Sequence, residues 1–175
     1  DETGKWVLTQ TPIKAYEDLR DEKIVDVKDA PITADNTILQ PIHGDTYEII
    51  ATFKPTNPVT SPLSRRLRNA SVSNGRVGFK LRTNNKGQET LVYYDFATGN
   101  IVIDRTKSGI LINDAFKALN QQAVTLNEDG SITMHIYVDR ASVEVFTKEN
   151  TVAGTNQIFP DADALDAQIF TDNVN

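Results

Sequence analysis

Three short sites along this chain hold residue types that could do chemistry. Asp104-Arg105 and Asp139-Arg140 each set a carboxylate beside a guanidinium where a strand pattern ends, and Glu144 follows on the polar face of the next run. Arginine forks and carboxylates are good donors and acceptors for sugar hydroxyls. The same groups equally suit a structural part, closing turns and pairing at the surface for about 0 to 1 kcal/mol each. General acid–base work by carboxyl groups would need a pair held in a set geometry around the reacting bond. With 24 acidic residues in the chain, pairs chosen by eye decide nothing. His43 and His135 stand alone in sequence, with no second His, Cys or acid at ligand spacing, so no metal is assigned. Asp161, Asp163 and Asp166 lack the glycine and closing glutamate of a calcium loop and read as a solvated acidic turn. No cofactor is implied.

The elements that must position these residues are strands. Ile132, Met134, Ile136 and Val138 alternate with Thr133, His135 and Tyr137, a period of two that marks a strand with one buried face. After a short break at Asp139-Arg140-Ala141, Val143 and Val145 alternate with Ser142, Glu144 and Phe146. The two runs predict a β-hairpin, although Arg-Ala is not a favoured turn pair. Tyr47, Ile49, Ala51 and Phe53 share one face of another strand. Val77, Phe79 and Leu81 predict a third, with Arg76, Lys80 and Arg82 outward. Runs 89–95 and 100–104 flank Ala97-Thr98-Gly99 as a second hairpin, with Gly99 free to adopt positive φ. Trp6–Gln10, 24–28 and 37–39 are weaker strand candidates. Ala15–Leu19 predicts one helical turn, and Phe116 with Leu119 another turn or a plug over a sheet edge. Further strands are expected in 151–159 and from Gln168. Roughly ten short strands with almost no helical periodicity argue for an all-β sandwich or barrel.

Composition narrows the function. At 175 residues the chain is expected to form a single domain that buries about 70% of its unfolded surface without a staple. The absence of cysteine excludes a thiol nucleophile, a cysteine zinc site and a disulfide framework. A net charge of -6 argues against nucleic acid, whose binders need a basic surface. No apolar run approaches a membrane span. Residues 54–75 form a long proline-bearing break with a basic knot at Arg65, Arg66 and Arg68. Such a loop is either solvated and mobile or a docking element for an acidic partner or second subunit. Asn69-Ala70-Ser71 fits the N-glycosylation pattern. The lone tryptophan, Trp6, reads as a core anchor, with a sugar-stacking platform as the other reading.

The run V-D-R-A-S-V-E-V-F, Val138 to Phe146, closely resembles the V-D-R-S-S-V-E-V-F signature of glycoside hydrolase family 32, which includes invertases, levanases and inulinases. Four further stretches match that family in its order: Trp6–Ile13, Tyr16–Arg20, Asp104–Gly109 and Ile158–Pro160. The resemblance implies a β-sandwich of two antiparallel sheets, of the concanavalin or lectin-like kind, lacking its last apolar strand. It implies a partner, an N-terminal five-bladed β-propeller that carries the active site, with residues 1–20 as the junction and Trp6 and Tyr16 at the interface. It makes 54–75 an insertion. The family's catalytic motifs, of the forms W-M-N-D-P-N, R-D-P and E-C, do not occur in this sequence, so no catalytic residue is expected. The resemblance leaves two functions open. One is a non-catalytic brace for the propeller, its dimer or its cleft rim. The other is a module that recognises terminal fructose of levan or inulin oligosaccharides through Asp104, Arg105, Asp139, Arg140 and Glu144. The start of the sequence carries no signal-peptide pattern and reads as the middle of a longer protein. The parent is expected to be secreted or cell-surface, and a homo-oligomer is a further expectation.

Overall fold

In the hairpin β6 (Ile132–Asp139) and β7 (Ser142–Thr147), Val138 pairs with Val143 and Asp139 with Ser142, so Arg140-Ala141 is the two-residue turn. Met134, Ile136, Val138, Val143 and Val145 all point inward and are buried. At about 1.5–3 kcal/mol per fully buried aliphatic side chain, this hairpin contributes on the order of 10 kcal/mol before chain entropy opposes it. The computed structural model describes residues 4, 6–56, 75–147 and 150–172. The predicted basic loop and its glycosylation pattern fall largely in 57–74, outside the described residues.

Seven other strands complete two antiparallel sheets: β1 (Tyr47–Phe53), β2 (Arg76–Thr83), β3 (Glu89–Asp95), β4 (Asn100–Lys107), β5 (Asn120–Ala123), β8 (Val152–Gln157) and β9 (Asp166–Asp172). The four-stranded sheet runs β1-β6-β7-β8 and the five-stranded sheet β5-β4-β3-β2-β9. Their inner faces share one apolar core, in which Phe53 of β1 meets Phe79 of β2 with ring centroids 5.4 Å apart. The expected hairpin β3–β4 is present. Gly99 holds φ +73° at its turn, and the Asp95 carboxylate accepts from the backbone N–H groups of Ala97 and Thr98.

Three weak strand candidates are not strands. Trp6–Gln10 has one ladder-like bond, from Gln10 N–H to Asn150 O at 2.9 Å. Residues 24–28 join neither sheet. Residues 37–39 belong to a turn closed by Gln40 N–H to Thr37 O and Ile42 N–H to Leu39 O. The apolar residues there plug rather than pair. Leu39 and Ile42 enter the core, Val25, Ile32 and Ile38 pack on it, and the Asn36 amide donates to Ile169 O of edge strand β9 at 3.0 Å. This stretch covers the flank where β1 and β9 face each other.

Arg82 overturns its outward assignment: it is 3% exposed. Its φ of 51° and the register shift between Lys80 and Thr83 turn its side chain inward. There the guanidinium donates to Ala164 O (2.7 Å), Arg140 O (3.1 Å), Asp45 O (3.3 Å) and Asp139 O (3.4 Å). One cation thus ties the β6–β7 turn to the segments before β1 and β9.

Candidate functional site

The residues expected to bind sugar occupy three places. Asp139 and Arg140 sit on the β6–β7 turn, where the Arg140 Nε–H donates to Asp45 Oδ2 at 2.8 Å and Asp139 Oδ1 accepts the Arg140 N–H. Asp104 and Arg105 belong to β4 in the other sheet. Asp104 accepts from the N–H and hydroxyl of Thr106. The Arg105 guanidinium lies 3.7 Å over the Phe116 ring and donates to Gln157 O at 3.1 Å. Glu144 stands half-buried on the outer face of the four-stranded sheet, between Tyr137 and Thr155. Among the described residues these three places lie apart, each held by its own local partners or strand neighbours. Trp6 is no core anchor: it is 98% exposed. Tyr16 lies with its ring 5.2 Å from that of Tyr137.

A different cluster forms where the alternation of β1 and β6 sets polar and aromatic side chains outward. Glu48 lies opposite Tyr137, and Ile50 opposite His135. Arg20 forks onto Glu48 with bonds of 2.6 and 2.7 Å, and His135 Nε2 meets the same carboxylate at 2.5 Å. The Arg20 hydrogen bonds, against the opposing effect of burial and with help from His135, hold the Glu48 carboxyl down at about 2. Burial, with the charge of Glu48, pushes the Tyr137 phenol up. The imidazole of His135 lies tilted beside Tyr137 at 4.6 Å, and Phe146 closes the group at 6.1 Å from Tyr137. Phe146 is therefore buried although it lies on the outer face. The histidines are not isolated: His43 Nδ1 likewise meets Asp166 Oδ1 at 2.8 Å. Each partner lies far away in sequence, so only strand register reveals it.

Over this face runs a strap. Gln10 ties it to Asn150, Tyr16 packs on Tyr137 within the 3-10 helix Lys14–Leu19, and Arg20 ties it to Glu48. Beside it are two hollows of about 180 and 450 Å³, and both are lined by His135 and Asn150. At the acidic turn, Lys86 lies 2.7 Å from Asp163 and 3.5 Å from Asp161. Among the described residues no cluster of three or more His, Cys, Asp or Glu could hold a metal, and no helix is long and apolar enough to cross a membrane.

A family profile described as "Glycosyl hydrolases family 32 C terminal" matches residues 15–175. The chain belongs to glycoside hydrolase family 32. It is 47% identical over 173 residues to a fructan beta-fructosidase of Streptococcus mutans, covering 98% of this chain and 11% of that protein. It is 32% identical over 169 residues to a levanase of Bacillus subtilis, covering 95% and 22%. The crystal structure of an exo-inulinase from Aspergillus awamori superposes with a TM-score of 0.61 at 29% identity, over 74% of this chain and 22% of that one. The chain thus spans a minor part of these family 32 relatives. Three of the stretches that carry the family resemblance meet at one end of the sandwich. Gly109, which ends D-R-T-K-S-G, bridges Phe159 of I-F-P, and Ile158 N–H donates to Ala141 O in the β6–β7 turn. The family motifs here act as joints between loops.

Proposed function

We propose that this chain is the non-catalytic C-terminal β-sandwich of a fructan-hydrolysing glycosidase, and that it braces the propeller carrying the catalytic carboxylates. The observation that supports this most is the strap. It offers Trp6 (98% exposed), Leu8 (78%), Ile13 (64%) and Leu19 (78%) to the outside while Gln10, Tyr16 and Arg20 hold it to the sheet. Large apolar surface held in place and left open marks a protein interaction site. Anchoring it beforehand lowers the ordering cost of docking. The two residues expected at the junction divide the work: Trp6 faces the partner and Tyr16 fixes the strap. Relatives named for fructan, levan and inulin support a fructan as the parent's substrate, and one named as an extracellular exo-inulinase supports an extracellular parent.

Recognition of terminal fructose by Asp104, Arg105, Asp139, Arg140 and Glu144 has less support. Those residues are dispersed, the two Asp-Arg pairs are locally engaged, Tyr93 and Tyr94 are buried, and Tyr137 is covered by Tyr16. The test is reassembly. The parent's propeller, made separately, is mixed with this chain, and its thermal stability and fructosidase half-life are followed. The expected result is association and a longer half-life, both lost with the triple variant Trp6→Ser, Leu8→Ser, Leu19→Ser, whose own unfolding temperature stays within a few degrees of wild type. Equal bracing by the triple variant, or no association at all, overturns the proposal.

A further inference from the structure

We infer, on the reading of the strap as the contact of the brace, that the docking face is an acid-rimmed apolar band from Trp6 to Val27. Its partner is a surface of the catalytic domain whose apolar centre is ringed by lysine or arginine. Beyond the strap, the chain meets edge strand β1 at the Arg20–Glu48 pair and turns inward again at Val25, which packs on the core. Beside these two anchors Ile24 is 54% and Val27 51% exposed. The anchors are five positions apart, at most about 17 Å of chain. Leu19 and Ile24 therefore fall within one interface of ordinary size, about 800 Å² on each partner. With Trp6, Leu8 and Ile13 they make a band that Gln10, Tyr16, Arg20 and Val25 fix to the sandwich.

Charge defines the partner. Residues 14–29 carry Glu17, Asp18, Asp21, Glu22, Asp26 and Asp29 against Lys14, Arg20, Lys23 and Lys28, all of them exposed. Arg20 is engaged by Glu48, and Lys23 holds Asp26 at 2.9 Å. Glu17, Asp18, Asp21, Glu22 and Asp29 then stand against Lys14 and Lys28. The band is edged with negative charge, on a chain whose net charge is already -6. A basic-rimmed partner meets such a face faster and in a defined register, and an acid-rimmed one is repelled. That argues against a second copy of this chain as the occupant. A two-fold dimer lays the same patch onto itself, which would set this acid excess against an equal one. A separate domain is free to supply the complementary rim.

The test uses the full-length protein and this 175-residue chain side by side. Asp18→Lys, Asp21→Lys and Glu22→Lys are combined, all at exposed positions. In the full-length protein the inactivation temperature is expected to fall by about 4 °C at about 20 mM salt. The gap should shrink to about half or less at about 0.5 M salt, where surface charges are screened. In the 175-residue chain alone, the same substitutions leave the unfolding temperature within about 2 °C of wild type, so the loss belongs to the contact. Ile24→Ser with Val27→Ser lowers the full-length value at either salt concentration.

A charge-reversed protein as heat-stable as wild type at low salt overturns the inference. So does a loss that salt does not reduce, or an unaffected Ile24→Ser, Val27→Ser protein. Trp6→Ser with Leu19→Ser separates these failures from failure of the brace. If that pair lowers the inactivation temperature and charge reversal does not, the strap still braces and the acid-to-base match is wrong. If neither lowers it, both are wrong. Self-association of the wild-type 175-residue chain that Leu19→Ser abolishes would put a second copy on this face and likewise overturn the inference.

Discussion

Two side chains carry more of this structure than their positions in the sequence suggest. Arg82 is a buried guanidinium whose partners are four backbone carbonyls and no carboxylate. Replacing it with Met removes the donors, leaving the Ala164 carbonyl without one in a buried place and the other three in part-buried ones. The expected loss is about 3 kcal/mol, read as a lower midpoint in urea unfolding. Lys at this position recovers little, because one ammonium cannot span carbonyls from three segments. Glu48 gives a pH signature. Its carboxyl is held at about 2 in the folded state against an ordinary 4.5. A depressed carboxyl contributes stability that is fully present above about 4.5 and is lost as pH falls toward 2. Glu48→Gln is therefore expected to be less stable than wild type at neutral pH by about 1–2 kcal/mol. The gap should close as pH falls through that window. A gap that stays constant down to the acid end would show that the Arg20–Glu48–His135 contact contributes nothing through charge.

At the scale of elements, what was readable came from alternation and from turns. β1, β2 and the β6–β7 hairpin announce themselves by a period of two, and the β3–β4 hairpin by the turn at Ala97-Thr98-Gly99 between two apolar runs. β5 does not. Asn120-Gln121-Gln122-Ala123 has no apolar face, and it is a strand because β4 offers an edge and because its amides reach β8. Asn120 and Asn156 meet at 2.6 Å, and the Gln122 amide donates to Ala153 O at 2.7 Å. Residues 24–28 and 37–39 fail in the opposite sense, since Val25, Ile38 and Leu39 plug a flank without pairing. The aromatic and polar cluster was hidden for a related reason. Thr133, His135 and Tyr137 could be placed on one face by sequence, but Ile50 and Glu48 join them only through the β1–β6 register. The joint between D-R-T-K-S-G and I-F-P can be tested directly. Gly109 has φ +109°, and a Cβ there would lie 2.1 Å from Phe159 O. Gly109→Ala combines a strained backbone with a backbone clash. It is expected to destabilise the chain by about 2–4 kcal/mol, measured by thermal and denaturant unfolding, whereas Gly87→Ala, with nothing within 4 Å of the added Cβ, suffers only the backbone term at its own positive φ.

At the scale of the molecule, the core and the strap answer to different measurements. The core cluster is built almost wholly from the two sheets and the 25–42 plug, whereas the strap from Trp6 to Leu19 contributes no buried side chain. Loss of strap side chains should therefore leave this chain folded, and its effect should appear only where the strap meets a partner. If the strap docks on a catalytic domain as proposed, Trp6→Ser with Leu19→Ser in the full-length protein removes two large contacts worth about 1.5–3 kcal/mol each when fully buried. In a protein much larger than this chain each kcal/mol moves the unfolding temperature by about 2–4 °C. The expected outcome is an inactivation temperature lower by several degrees. KM and kcat on fructan, measured well below that temperature, should stay within about twofold of wild type, because a brace acts on the lifetime of the fold and not on the bond being cut. A fall in kcat/KM at temperatures where the enzyme remains folded would instead place this face of the sandwich at the rim of the active site, and bracing would then be the lesser part of its work.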